Sequence, residues 1–210
     1  MIFKIHEIIK STIQGEGYNW GMPIDLVRLY GCPVGCSFCD TGYSSEDDYG
    51  KNINYKKMDF ENILGEINSK NILISGGEPF INKSLNYLCN ELEANGHRVF
   101  LETSGSFWKE LPDNSWITLS PKEHLNSKFK VDKRFWERAD EIKLVISSEK
   151  DFKYYQSHLS NIQNSSTPKM IFLQPEWSVK DQIMPYLIEL LNQNSNYRLS
   201  IQGHKLLGLN

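Results

Sequence analysis

Three cysteines within eight residues, Cys32, Cys36 and Cys39 in the run Gly-Cys-Pro-Val-Gly-Cys-Ser-Phe-Cys-Asp-Thr, are the residues of this 210-residue chain best suited to chemistry. Thiolates are soft ligands that favour iron–sulfur clusters or zinc. A structural zinc site takes four ligands, usually in two pairs, and the sequence offers no second pair. The remaining cysteine, Cys89, falls at helical spacing with Leu85, Leu88 and Leu92 and reads as a small core hydrophobe. Three ligands on a cubane leave one iron without a protein ligand. An open coordination position marks a reactive metal more often than a structural one. A structural metal or a chance spacing is the plainer alternative.

Other polar clusters recur after short apolar stretches. Ser75-Gly76-Gly77-Glu78-Pro79 has paired glycines, which permit positive φ and close backbone approach to a ligand; the same pair also serves ordinary strand-to-helix turns. Glu102-Thr103-Ser104-Gly105, Ser120-Pro121-Lys122 and Gln174-Pro175-Glu176 are each common turn compositions, raised above that by their shared placement. Ser11-Thr12-Ile13-Gln14-Gly15-Glu16-Gly17 is polar and glycine-rich and suits a hairpin. Gln202-Gly203-His204-Lys205 closes the series, and a lone histidine there is usually a satisfied structural group.

The elements that must position these clusters alternate. Residues 25–30, 71–75, 98–102, 115–119, 141–146, 170–174 and 197–201 are short, apolar and rich in β-formers. Helical faces fall between them: Phe60, Ile63, Leu64 and Ile67; the Leu85 face; and Ile183, Leu187, Leu190 and Leu191 within 180–193. Repeated β-α units predict an α/β fold with a largely parallel sheet of about six or seven strands, curled into an incomplete TIM-like barrel. Functional loops then lie at the strand C-terminal ends, where the motifs fall. Segments 42–57, 125–131 and 160–168 read as loops, the first as a surface insertion, and residues 1–210 as one domain.

Composition sets the outer bounds. With 40% hydrophobic residues, 12% aromatics and a net charge of −3, the chain suits a folded globular protein and predicts no large field for nucleic acid or anionic lipid. The N-terminus alternates apolar and polar residues, no apolar run approaches the ~20 residues that span a bilayer, and a cytoplasmic location follows as the expectation.

The spacing Cys-x3-Cys-x-Phe-Cys resembles the signature of the radical S-adenosylmethionine superfamily, and Gly-Gly-Glu-Pro resembles its second motif. Within it, the ordered set from Gln14 to Lys205 resembles the 7-carboxy-7-deazaguanine synthase family: Gln-Gly-Glu-Gly, Val27-Arg28-Leu29 before Gly31-Cys32, Cys39-Asp40-Thr41, Gly-Gly-Glu-Pro, Glu-Thr-Ser-Gly, Ser-Pro-Lys, Gln-Pro and His-Lys. The resemblance implies a radical SAM lyase of queuosine and 7-deazapurine biosynthesis. Such an enzyme contracts 6-carboxy-5,6,7,8-tetrahydropterin to 7-carboxy-7-deazaguanine with loss of ammonia.

Roles then transfer position by position. Cys32, Cys36 and Cys39 would hold a [4Fe–4S] cluster whose open iron takes S-adenosyl-L-methionine, and Thr41 would offer its hydroxyl to magnesium. Gly77, Glu78, Thr103, Ser120, Pro121 and Lys122 correspond to cofactor positions, as does the segment Gln174, Pro175, Glu176 and Trp177. Ile13, Gln14, Gly15, Glu16 and Ser75 correspond to positions around the pterin, Arg28 to the arginine facing its carboxylate, and His204 to a histidine beside it. Some relatives also use the C-terminal residue, here Asn210. The family further implies a homodimer and an electron donor such as flavodoxin. One departure is Pro33-Val34-Gly35, where Asn-Leu-Trp fillings are more usual. A glycyl-radical activating enzyme and a non-catalytic iron–sulfur protein are the competing readings.

Overall fold

Phe3–Ile13 (β1) and Pro23–Leu29 (β2) pair as an antiparallel hairpin, with Lys56–Met58 (β3) added to the free side of β1. The computed structural model describes residues 1–43, 53–126, 128–163 and 169–209. Beyond β2 the sheet is built from parallel neighbours: Asn71–Gly76 (β4), Arg98–Thr103 (β5), Trp116–Leu119 (β6), Glu141–Ile146 (β7), Met170–Pro175 (β8) and Tyr197–Leu199 (β9). The order is β3-β1-β2-β4-β5-β6-β7-β8-β9. Among the described residues, seven parallel strands in chain order, flanked by β1 and β3, form the incomplete barrel expected from the repeated β-α units.

Strand side chains alternate between faces, and here the two faces have opposite chemistry. Val27 and Leu29, Ile72 and Ile74, Val99 and Leu101, Ile117 and Leu119, Ile142 and Leu144, and Ile171 and Leu173 belong to one large apolar cluster. Helices cover that face. Phe60–Glu66 (α1) touches β1, Leu85–Ala94 (α2) packs on β5, and Lys133–Arg138 (α3) packs on β6. Glu149–Gln163 (α4) packs on β7, and Lys180–Gln193 (α5) on β8 and β9. Cys89 is fully buried in this layer, as its helical spacing predicted.

The inner face is apolar only at its base. Ile24, Leu26, Leu73 and Phe100 form a small plug at the N-terminal end of the strands. Two residues further along the same strands come Arg28, Ser75 and Glu102. A polar cup thus sits on an apolar floor, facing the C-terminal ends.

Three local departures from the sequence expectations have clear causes. β1 is a strand of eleven residues that the sequence analysis did not claim. Its side chains are mostly half-exposed, and a bulge between Ile9 and Thr12 interrupts its alternation. In the bulge Ser11 has φ 56, and its N–H donates to Asp25 at 2.7 Å. Asp25 is fully buried and also accepts from the N–H groups of Asn68 and Ser69. Burial pushes its pKa up, but these backbone donors outweigh that and hold it below the usual carboxylate range. Second, α4 runs through residues 160–163, where the sequence suggests a loop. Phe152, Tyr155, Leu159 and Ile162 bury one stripe of an otherwise polar helix. Third, the expected insertion 42–57 lies largely outside the described residues, yet its first part is core and its last two residues, Lys56 and Lys57, belong to β3. Tyr43 is 1% exposed, and its hydroxyl accepts from Gly31 N–H at 2.9 Å, closing the cysteine loop on itself.

Candidate active site

The polar cup opens on a cavity of about 250 Å³ bordered by the C-terminal ends of the parallel strands and by the loops that follow them. The loop after β2 carries Cys32, Cys36 and Cys39, all half-buried at its rim. Cys39 N–H donates to Cys36 carbonyl at 3.2 Å and Gly42 N–H to Cys39 carbonyl at 3.2 Å, so tight turns present the thiols together. Burial pushes the Cys32 thiol up to about 12, with the Glu78 charge and the other two thiols adding to it. Burial likewise raises Cys36, against the pull of Lys122. Cys32 and Cys36 in such surroundings resist becoming thiolates on their own, and a cationic iron core reverses that balance. The donor set therefore fits a cluster.

Beside the thiols, the turn after β4 explains its glycines. Gly76 has φ 103, and a Cβ on Gly77 would lie 2.0 Å from the Gly31 carbonyl oxygen. Gly77 N–H donates to Leu29 carbonyl at 2.8 Å, and Glu78 N–H to Gly31 carbonyl at 2.9 Å. The close approach demanded of Gly77 is thus to the cysteine loop's own backbone, and that of Gly76 to the end of β2 at Arg28 and Leu29. Glu78 is 3% exposed and its carboxylate is already occupied. It accepts from Phe80 N–H, Thr103 hydroxyl at 2.7 Å, and the N–H and hydroxyl of Ser104 at 2.8 and 2.6 Å. Glu78 and Thr103 spend their polar atoms on each other, tying the turn after β4 to the end of β5.

Opposite the thiols stands a buried ionic group. Lys143 of β7 is 2% exposed and donates to Glu16 and, at 3.0 Å, to Glu102. Gln14 donates to the other oxygen of Glu102 at 3.1 Å. Burial disfavours the lysine's charge, yet Glu102 and Glu16 outweigh it and hold Lys143 above the ordinary lysine range. For Glu16, burial pushes upward, while Lys143 pulls the carboxyl below its usual value. Lys122 has both hydrogen bonds to Ser120, at 2.7 Å to its carbonyl and 2.5 Å to its hydroxyl, and burial lowers its pKa. Arg28 borders the cavity while one guanidinium nitrogen donates to Glu7 at 2.7 Å.

The remaining wall comes from a crossing contact. The loop after β1, residues 14–22, reaches across the cup to the far end of the sheet. Gly203 N–H donates to Gly15 carbonyl at 2.9 Å, and Gly17 N–H to Ser200 hydroxyl at 3.0 Å. His204, in Gly203–Leu207 (α6), stands over Gly15, where a Cβ would lie 2.6 Å from Nδ1. α6 is also tied to the cysteine loop: Lys205 pairs with Asp40 at 2.6 Å, and Gln202 donates to the same carboxylate at 2.9 Å. Single donor atoms of Glu16, Asp40 and His204 lie within 4.8 Å of one another. Thr41, next in chain to Asp40, donates to Gly76 carbonyl at 3.3 Å.

Most residues singled out from the sequence converge here. Ile13, Gln14, Gly15, Glu16, Arg28, the three cysteines, Thr41, Ser75, Gly77, Glu78, Thr103, Ser120, Lys122, Gln174, Glu176, Trp177 and His204 all border the cavity. Pro121 and Pro175 are buried and do not border it, and Asn210 lies outside the described residues. Glu102 and Lys143 were not assigned a site role. Lys143 sits in an apolar strand, and the available signal was its alternation with Ile142 and Leu144, which puts a lone charge on the inner face. No helix among the described residues is long and apolar enough to cross a membrane.

The radical SAM superfamily pattern matches residues 26–123. A relative from Escherichia coli (strain K12), named 7-carboxy-7-deazaguanine synthase, is 34% identical with all of both chains covered. One of the same name from Buchnera aphidicola is 36% identical over 99% of each. A solved structure, "Crystal structure of QueE from Escherichia coli", superposes with a TM-score of 0.82 at 33% identity, covering 97% of this chain and 95% of that one.

Proposed function

This chain belongs to the 7-carboxy-7-deazaguanine synthase family of radical SAM enzymes, and on that premise we propose how its own residues divide the work of contracting 6-carboxytetrahydropterin to 7-carboxy-7-deazaguanine. The observation that carries the assignment is convergence: the three thiols, the Gly76-Gly77 turn and the Gln14–Arg28–Lys143–His204 wall all border one cavity.

Cys32, Cys36 and Cys39 hold the [4Fe–4S] cluster. When bound, cluster and S-adenosylmethionine supply the one-electron chemistry that takes a hydrogen atom from the substrate. Gly77, Ser120, Lys122, Gln174, Glu176 and Trp177 line the cofactor half of the cavity, and Glu78 and Thr103 hold the turn after β4 in place rather than spend their polar atoms on a ligand. Lys122, whose hydrogen bonds go to a carbonyl and a hydroxyl, keeps its charge available to a cofactor carboxylate. On the substrate side, Arg28 offers the planar, bidentate donor a carboxylate needs. Ile13, Gln14, Gly15, Glu16, Ser75 and His204 provide the hydrogen-bonding wall around the ring. Lys143 acts from behind, pairing with Glu16 and Glu102 and orienting their carboxylates as acceptors for ring N–H groups.

Magnesium prefers hard oxygen donors and retains water. Thr41 would supply a hydroxyl, next in chain to Asp40, whose carboxylate lies within 4.8 Å of donor atoms of Glu16 and His204. Thr41→Ala is expected to reduce the stimulation by magnesium while the cluster's visible absorbance stays intact. An unchanged magnesium response would remove that role. The reading carries with it a cytoplasmic location, a homodimer and an acidic electron carrier of the flavodoxin kind.

The direct test uses anaerobically reconstituted protein with dithionite, S-adenosylmethionine, magnesium and 6-carboxytetrahydropterin. Product 7-carboxy-7-deazaguanine by mass spectrometry, lost in Cys36→Ala, is expected. Slow cofactor cleavage without product would retain the cluster assignment and overturn the substrate.

A further inference from the structure

Ser200 directly follows β9, is buried, and does not itself border the cavity. Its hydroxyl nevertheless joins two parts of the site. Gly17 N–H donates to it at 3.0 Å, and it donates to Oε1 of Gln174 at 2.7 Å. The sheet sets this meeting. Leu173 and Leu199 pair across β8 and β9, and Ser200 N–H donates to the Leu173 carbonyl at 2.9 Å, so Ser200 and Gln174 stand side by side at the strand ends. The direction of each proton follows from chemistry. A backbone N–H only donates, so the hydroxyl accepts from Gly17 and its single proton goes to Gln174 Oε1. With Oε1 taken, the buried amide has its donor nitrogen left for the Glu16 carboxylate. Burial raises Glu16, and Lys143, His204 and this Gln174 hydrogen bond together bring it below its usual value. The chain of donors thus starts at Gly17, next to Glu16 in sequence, and ends on Glu16 itself.

We propose that Ser200 is a positioning residue for the reaction, directing the Gln174 amide onto Glu16 and so fixing the plane of that carboxylate; this rests on the reading of Glu16 as part of the substrate wall. Lys143 pairs with one oxygen of Glu16. A carboxylate held by a single ion pair can pivot about its cation, and a second donor from another direction removes that freedom. An acceptor for ring N–H groups gains from being held before the substrate arrives, because small misplacements of positioning groups cost much of the rate. Gln174 borders the cavity beside Glu176 and Trp177, so its side chain bridges the cofactor half and the substrate wall. Without the Ser200 hydroxyl, Oε1 becomes a buried acceptor stripped of its donor. That loss is costly enough to draw the amide toward a different partner, and Glu16 is then released. Ser200 touches no reacting group in this arrangement; its effect passes through Gln174.

The test uses the anaerobically reconstituted full chain. Ser200→Ala is compared with Ile183→Val, which trims a core residue of α5 on the outer face of the sheet. Both are expected to lower the melting temperature. Only Ser200→Ala is expected to raise the KM for 6-carboxytetrahydropterin, by about fivefold or more, with the KM for S-adenosylmethionine staying within about twofold. A wild-type pterin KM in Ser200→Ala overturns the proposal, as does an equal rise in Ile183→Val, which would make it a matter of general loosening. The route is read from a double-mutant cycle. In a Gln174→Met background, adding Ser200→Ala is expected to change the pterin KM by less than about twofold. Two rises that simply multiply would show that Ser200 does not act through the amide, and would overturn the relay. A wild-type protein that cleaves S-adenosylmethionine yet makes no product from the pterin overturns the substrate reading instead.

Discussion

Lys143 shows how much one residue settles. It is buried between Glu16 and Glu102, and all three face the cavity. Lys143→Met is expected to destabilise the fold by about 3 kcal/mol or more, because it leaves the buried Glu16 and the partly buried Glu102 without their cation. Denaturant titration measures this directly, and a loss under 1 kcal/mol would mean that the carboxylates find other partners. The pH dependence has two limbs. The Glu16 pKa is lowered in the fold, so its contribution is present above the unfolded glutamate value of about 4.3 and fades as pH falls through the lower folded value. The Lys143 pKa is raised, so its contribution is complete below the unfolded lysine value of about 10.4 and is lost as pH rises through the folded value. Stability from this group should be level across neutral pH and fall at both extremes. Sequence alone exposed the thiols, because their spacing is rare. It hid Lys143, because a single charge in Glu-Ile-Lys-Leu-Val-Ile looks like surface relief until the strand's inner face is known to be polar.

Strands and turns fix the relative heights of the motifs. β2 and β4 pair in parallel up to Leu29 and Gly76, and two further backbone hydrogen bonds carry the chain to Gly31 and Glu78. That continuation requires Gly77 to have no side chain. Gly77→Ala is expected to push the turn from the cysteine loop, with loss of iron after reconstitution and a lower melting temperature. Iron content equal to wild type, by metal analysis, would show that the loop can yield. The parallel strands were legible as apolar runs, and their ends matched within about two residues, the usual uncertainty of element boundaries. β1 was not, since its pattern is broken by the bulge that Asp25 stabilises, and neither was the end of α4, whose polar faces mask a buried stripe.

At the scale of the whole molecule, an open sheet is closed into a working cup by contacts between segments distant in sequence. The loop after β1 meets α6 through Gly15 and Gly203, with His204 seated over Gly15. Gly15→Ala forces those walls apart, and is expected to raise the KM for the pterin about tenfold or more. The KM for S-adenosylmethionine, bound on the other side, should stay within about twofold, and a parallel rise in both would deny the loop a substrate-specific role. The sequence indicated that both ends of the chain carried polar motifs, but not that they touch, because no local pattern encodes a contact of that range. The clasp between Gln202 and Asp40 spans 162 residues. At ribosomal speeds of roughly 5–20 residues per second, the thiols beside Asp40 are synthesised some 8–30 s before their closing partner exists. During that interval the nascent chain offers three uncovered sulfurs to whatever delivers iron. Cluster loading thus has a natural window during translation, which shuts when α6 is made and docks.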